Sequence, residues 1–174
     1  MRWEDISEQT CSIAKASSVF GDRWTLLIVR QLFLGLRRFS DIQKSLGITK
    51  HRLTDRLNRL IEEGLVFKHL YDDKYNRFDY RLTEKGLDLY PVLITLAQWG
   101  DKWMCDGDGI PMQYEHQECG NMMTPTLCCS CCNKPLNLNN MKLKVGPGIA
   151  AKHARGDMSE GDQMLYKRLI NEEG

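Results

Sequence analysis

The run Thr49-Lys50-His51-Arg52-Leu53-Thr54-Asp55-Arg56-Leu57-Asn58-Arg59-Leu60 decides how this chain is read. Leu53, Leu57, Leu60 and Ile61 recur at i, i+4, i+7 and i+8, the spacing of a stripe buried along one side of a helix. His51, Arg52, Asp55, Asn58 and Arg59 repeat on the opposite side. Those are residue types that hold phosphates and hydrogen-bond to base edges. An upstream helical segment ends at Gly47-Ile48, so only a tight turn separates it from this helix. Helix, short turn and a second helix with a basic outer face have the layout of a helix-turn-helix reader of duplex DNA.

Toward the N-terminus, Ser7 to Val19 reads as a weak helix broken by Gly21-Asp22, and Asp22 can cap the next one. That helix spans about Arg23 to Leu34, with Trp24, Leu27, Ile28, Gln31 and Leu32 on one side, and stops at Gly35. Phe39-Ser40-Asp41 opens a third, with Ser40 as its N-cap, and Thr49 caps the reader helix, which ends at Gly64. Beyond it, Leu65–Tyr71 and Arg77–Leu82 flank the polar stretch Asp72-Asp73-Lys74-Tyr75-Asn76. This is a β-hairpin signal, and a hairpin directly after a reader helix is a wing, with Lys74 and Arg77 near its tip.

Thr83 caps a long helix expected from Glu84 to Met104. Leu87, Tyr90, Ile94 and Ala97 form one apolar line on it, and Leu89, Val92, Leu96, Trp99 and Trp103 another. A helix apolar on two sides needs two covers: its own domain, and most simply a second subunit. Pro91 is expected to kink it. Trp24, Tyr90, Trp99 and Trp103 read as core and interface, with an effector pocket between the first and last helices as the alternative.

The fold class is therefore mainly α with a small β-hairpin wing (α+β). The expected organisation is a DNA-binding and dimerisation domain over 1–104, a linker over 105–115, a Cys/His module over 116–138, and an extension over 139–174. Gly146-Pro147-Gly148 reads as a further break, and Ser159 to Asn171 as a short closing helix.

Bulk numbers are compatible with this reading. The 174 residues are 42% apolar, enough for a core, and the net charge of +1 does not by itself announce nucleic acid. Residues 1–104 hold 17 Lys/Arg against 14 Asp/Glu, and the rest hold 7 against 9, so the basic excess sits with the reader. No apolar run is long enough to span a bilayer, and Arg2, Glu4 and Asp5 interrupt any secretory signal, so a cytoplasmic location is expected.

Five of seven cysteines crowd into 119–132. In a reducing compartment such clustering favours metal over disulfides. His116-x2-Cys119-x9-Cys129-x2-Cys132 presents two ligand pairs whose x2 gaps let both donors of a pair meet one Zn2+, in a closed, structural tetrahedron. Cys128 and Cys131 share the same gap; the following Asn133-Lys134-Pro135-Leu136 favours Cys129 and Cys132. The alternative is that these are incidental thiols.

Seven segments in order resemble the HxlR-type group of bacterial winged helix-turn-helix regulators, relatives of the MarR type. They are Cys11-Ser-Ile-Ala, Gly21-Asp-Arg-Trp-Thr-Leu-Leu-Ile, Gly35-Leu-Arg-Arg-Phe39-Ser, Leu53-Thr-Asp-Arg-Leu57, Glu63-Gly-Leu-Val, Tyr80-Arg-Leu-Thr-Glu-Lys-Gly86 and Trp99-Gly-Asp-Lys-Trp103. The resemblance covers roughly 8–104 and implies a homodimer, packed through the first and last helices, on a pseudo-palindromic operator. Ser12 stands where the family usually has Pro, and the wing lacks the Pro often found there. Some members carry a similar Cys/His tail. In some, the cysteine matching Cys11 senses oxidants or electrophiles. Here Cys11 begins the first helix, whose dipole favours a thiolate, with Lys15 one turn on. The alternative is a small buried apolar residue.

The expected DNA contacts are Lys50, His51, Arg52, Asp55, Arg56, Asn58 and Arg59 on the reader helix, Ser40 and Thr49 at helix starts, and Lys74 and Arg77 on the wing. Arg52 and Arg59 suit guanine or phosphate, and Asn58 suits adenine. Arg56, nearer the buried boundary, has a carboxylate as its alternative partner. The function expected is a sequence-specific transcriptional regulator, a repressor by preference. The competing classes are a protein-interaction winged helix and a thiol or zinc enzyme. Against the enzyme, the four histidines are scattered and no nucleophile elbow, phosphate loop or His-Glu-x-x-His occurs.

Overall fold

The computed structural model describes residues 10–105 and 107–171. Among the described residues one compact unit runs from Ala16 to Pro125, and residues 10–15 with 126–171 form a second.

The first unit is built around the reader. Helix α1 (Ser12–Phe20) leads into it, followed by α2 (Thr25–Phe33), α3 (Phe39–Leu46) and α4 (Lys50–Glu62). The expected start of α1 at Ser7 lies outside the described residues. Leu53, Leu57 and Leu60 of α4 are fully buried, so the apolar stripe read from the sequence is the one the core takes up. They pack with Ile28, Val29 and Leu32 of α2, Ile42 of α3, and Ile48 in the turn. That turn needs a left-handed residue, and Gly47 supplies it at φ +61°. Thr49 caps α4 by accepting the Arg52 N–H at 3.5 Å. Ser40 does not cap α3. The N-cap is Arg38, whose carbonyl accepts from Asp41 and Ile42, and Ser40 lies inside the first turn.

Strands β1 (Val66–Asp72) and β2 (Arg77–Leu82) pair antiparallel from Val66↔Leu82 to Asp72↔Arg77, and Asn76 turns the hairpin at φ +48°. Its base is anchored to the reader. Thr83 N–H donates to the Leu65 carbonyl, Thr83 Oγ1 to the Gly64 carbonyl at 2.6 Å, and Lys85 Nζ to the Glu63 carbonyl. Gly86 seats this junction, because a Cβ there would lie 2.2 Å from the Leu65 carbonyl oxygen.

The long helix expected over 84–104 is two helices, α5 (Glu84–Leu87) and α6 (Tyr90–Trp103). Pro91 starts the second rather than kinking a continuous one: it occupies the first turn, where a missing N–H costs nothing. Leu89 is buried at the junction and Leu93 packs on the core, but the outer stripe of α6 is open. Val92 is 40% exposed, Leu96 49%, Trp99 53% and Trp103 65%. A short hairpin follows, β3 (Tyr114–His116) with β4 (Asn121–Met123).

In the second unit, α7 (Pro147–Arg155) and α8 (Glu160–Asn171) pack together, with His153 stacked on Tyr166 at 4.1 Å. The expected break at 146–148 is instead a helix start, with Pro147 in the first turn. Asp162 is buried, accepts from Thr10 Oγ1 at 2.6 Å and pairs with Lys152 at 3.8 Å. The residue preceding Cys11 is thus tied to the C-terminal helices. No helix among the described residues is long and apolar enough to cross a membrane.

Candidate nucleic-acid interface

Burying one face of α4 leaves the other in solvent. Lys50, His51, Arg52, Asp55 and Asn58 are all exposed along it. His51 Nδ1 lies 3.0 Å from Asp55 Oδ2, one helical turn on, so the imidazole occupies a carboxylate that would repel phosphate. Two arginines of the expected set turn elsewhere. Arg56 Nη1 donates to Asp22 Oδ2 at 3.5 Å. Arg59, half-buried, donates to the Ser18 carbonyl and so ties α4 to the end of α1. The outward role expected of Arg59 thus has an intramolecular competitor: position 59 lies close enough to the buried stripe for its long stem to reach inward.

Asp22 organises the corner beneath the exposed face. It accepts the Trp24 N–H at 2.8 Å and the Thr25 N–H at 3.2 Å, closing the start of α2, while Thr25 Oγ1 donates at 2.5 Å. Burial works to raise this carboxyl, but the Thr25 hydroxyl, the Trp24 N–H and Arg56 together hold it below the usual carboxylate range. Beside it, Arg23 and Arg52 share a recess of about 260 Å³ with Asp55 and Arg56. Sequence reading missed Arg23, because it sits at the start of α2 and joins Arg52 only through the fold. It also passed over the exposed Arg37, Arg38 and Lys44, which flank α3.

At the wing tip, Lys74 and Arg77 gather over the Tyr75 ring, 5.4 Å and 5.2 Å from its centroid. Cation–π contact of this kind holds charges together without neutralising them. Lower down the wing, Asp79 is buried between Arg81, with Nη2 at 3.1 Å, and His69, with Nδ1 at 3.1 Å. These groups brace the strands. Ser40 is exposed and donates to Asp41 at 3.1 Å.

The fold thus presents an exposed basic helix, a tight turn before it and a cationic wing after it. Residues 19–108 match the model of the HxlR-like helix-turn-helix family. The chain belongs to that family. This HxlR-like protein is accordingly a transcriptional regulator with a helix-turn-helix DNA-binding domain, and not an enzyme. It is similar to an HTH-type transcriptional regulator of Mycobacterium tuberculosis, 39% identical over 143 residues, or 82% of this chain and 90% of the relative. Among solved structures it resembles PA1607, described there as a candidate transcription factor. The TM-score is 0.72 at 30% identity, over 82% of this chain and 99% of that one. It also resembles the redox regulator HypR in its reduced form, with a TM-score of 0.50 at 26% identity, over 53% of this chain and 92% of that one.

The tail cysteines fall into two similar turns. In one, the Gly120 N–H donates to the His116 carbonyl at 2.8 Å, Gly120 is left-handed, and Cys119 Sγ lies 3.4 Å from His116 Nδ1. In the other, the Asn133 N–H donates to the Cys129 carbonyl at 2.8 Å, Asn133 is left-handed, and the Cys131 N–H points at Cys129 Sγ. Cys128 instead sits in a β-bridge to Pro135. The backbone N–H of Asn121 and then its side chain lower the Cys119 thiol; the N–H groups of Cys131 and Cys132 lower Cys129. Among the described residues no three His, Cys, Asp or Glu side chains are gathered to hold a metal. Cys11 is exposed at the start of α1, its carbonyl accepting the Lys15 N–H.

Proposed function

We propose that this regulator acts as a homodimer on a pseudo-palindromic operator and represses by occupying a promoter. The observation that carries the reading is the pairing of two exposed surfaces on one small domain. The polar face of α4 is free to enter a major groove, and the apolar stripe Val92, Leu96, Trp99 and Trp103 of α6 lacks a cover. A contiguous apolar stripe of that kind marks an association surface. Two copies joined through α6, with α1 alongside as the family resemblance implies, would set two reader helices one duplex turn apart, about 34 Å. On α4, Lys50, His51, Arg52 and Asn58 make the contacts, with Arg23 at the edge and Lys74 and Arg77 on the flanking backbone or minor groove. The cytoplasm is the compartment that fits.

Fluorescence anisotropy on the promoter of its own gene tests this. Binding should resist competitor DNA and weaken steeply with salt. Repression itself is read from a reporter on that promoter, which should rise when the gene is deleted.

Cys11 is proposed as an oxidant or electrophile sensor. Its exposure at a helix start supports this, as does the likeness to HypR, described as a redox regulator. Diamide should weaken operator binding by the wild type and leave Cys11→Ser unaffected; equal sensitivity in both would discard the idea.

Zinc is proposed for the tail, with His116, Cys119, Cys129 and Cys132 as ligands. The two matching turns support these four over Cys128 and Cys131, since each presents its donors in an x2 loop closed by a left-handed residue. When bound, the ion would order the tail and supply no chemistry. Metal analysis of the purified chain should find one zinc per chain, lost in Cys129→Ser and kept in Cys128→Ser. Absence of zinc from the wild type after zinc-supplemented growth would refute it.

A further inference from the structure

Within the first unit, a cavity of about 770 Å³ opens between the C-terminal half of α6 and the segment Ile110–Pro125. A second, of about 290 Å³, runs inward between α2 and α6. Both are lined by Asp101, Met112 and Tyr114, so they adjoin. Together they fall in the size range of sites for drug-sized ligands. The outer cavity is walled by Trp99, Trp103, Met112, Met122 and Met123. Indole rings offer flat stacking faces, and methionines adapt to varied apolar shapes.

Polar groups line both cavities: Gln98, Lys102, Gln113 and Thr124 the outer one, Arg30, Asp101 and Tyr114 the inner. Arg30 lines the inner cavity, and its Nε is buried with no hydrogen-bond partner among the described residues. An unanswered buried donor is costly. Asp101 lines the same space and Lys102 the outer cavity, so charges of both signs face a guest. Tyr114 lies beside them, its hydroxyl held protonated to higher pH by burial and then by Asp101 and Tyr90. A lining that carries both signs of charge suits a neutral guest with a polar end better than an ion.

We propose that these two cavities form an effector site for an uncharged, flat aromatic molecule bearing a carbonyl group, whose rings lie against Trp99 and Met123 and whose oxygen is received by the Arg30 guanidinium. About half of the wall, Ile110 to Pro125, lies beyond residues 19–108 that match the family model, so the family-matched segment alone does not build the site. Trp99 and Trp103 also belong to the apolar stripe assigned to the dimer, so a guest beside them would shift the spacing of the readers. That coupling rests on the dimeric reading; the binding itself does not.

The test uses the full chain and two fluorescent naphthalenes, 6-propionyl-2-(dimethylamino)naphthalene and its carbonyl-free counterpart 2-(dimethylamino)naphthalene. The ketone should bind saturably, one per chain, with blue-shifted emission and quenched tryptophan. The carbonyl-free probe should bind about tenfold more weakly, the worth of one hydrogen bond to a charged group. Arg30→Met should bring the ketone down to the level of that probe and leave the probe unchanged. Met123→Glu, at an exposed hairpin position, should weaken both about tenfold, with an unchanged circular dichroism melt reporting an intact fold. Non-saturable uptake, or equal binding of both probes by wild type and both variants, would overturn the assignment. Operator binding measured on the same samples keeps that failure distinct from a failure of the DNA reading.

Discussion

Arg52, Arg56 and Arg59 are spaced one turn apart or nearly so, yet they do three different things. Arg52 is exposed, Arg56 answers Asp22, and Arg59 reaches the Ser18 carbonyl. Arg52→Ala should therefore cost about 1–3 kcal/mol of operator binding, or lower the salt slope by about one if its partner is phosphate, with no change in melting temperature. Arg59→Ala should behave in the opposite way, lowering the melting temperature first. Thermal melts and anisotropy on the same preparations separate the two. Asp22 makes a pH prediction. Its folded-state pKa lies below its unfolded one, so its stabilisation is complete above the unfolded value, about 3.9, and is lost as pH falls through the lowered folded value. Asp22→Asn should flatten that acid limb of the stability curve; an unchanged limb would count against the assignment.

At the scale of elements, the junction of reader helix, wing and α5 is held by backbone groups around Gly86. Gly86→Ala must push a methyl into the Leu65 carbonyl, and should destabilise the domain by about 1–3 kcal/mol in urea melts. A neutral result would mean that the junction yields more easily than its hydrogen bonds suggest. The elements were legible in the sequence where one signal acted alone: the 3.6-residue stripe of α4, the Thr49 cap, the polar turn of the wing. Sequence reading failed where two signals competed. Pro91 was read as a kink in a long apolar run, whereas its position in a first turn splits that run in two. Gly146-Pro147-Gly148 was read as a break for the same reason. Ser40 has the chemistry of a cap, but Arg38 takes the position because the chain is already extended there, at ψ 142°. On α4, periodicity assigned faces but could not show that Arg59, at the boundary, donates to a carbonyl of another helix.

Across the whole molecule, the open stripe of α6 and the exposed face of α4 belong to one argument. A monomer would leave four large apolar side chains in water and offer a single reader to one groove. Val92→Glu, outside the effector cavity, should convert a dimer into a 20.1 kDa monomer in sedimentation velocity and cost most of the operator affinity. The interface was only partly legible beforehand. An apolar run with no polar edge says that a cover is needed, and the seven ordered segments say which family supplies the pattern. The cavities walled by Ile110–Pro125 were invisible, because methionines and tryptophans scattered over two segments become a surface only when the β3–β4 hairpin folds beside α6.

The most direct test is hydroxyl-radical footprinting of the operator by wild type and by the Arg52→Ala, Asn58→Ala double variant. The wild type should protect two half-sites centred about one helical turn apart, and the variant should lose both at the same protein concentration while still sedimenting as a dimer. A single protected patch, or an unchanged footprint from the variant, would contradict a paired reader working through the outer face of α4.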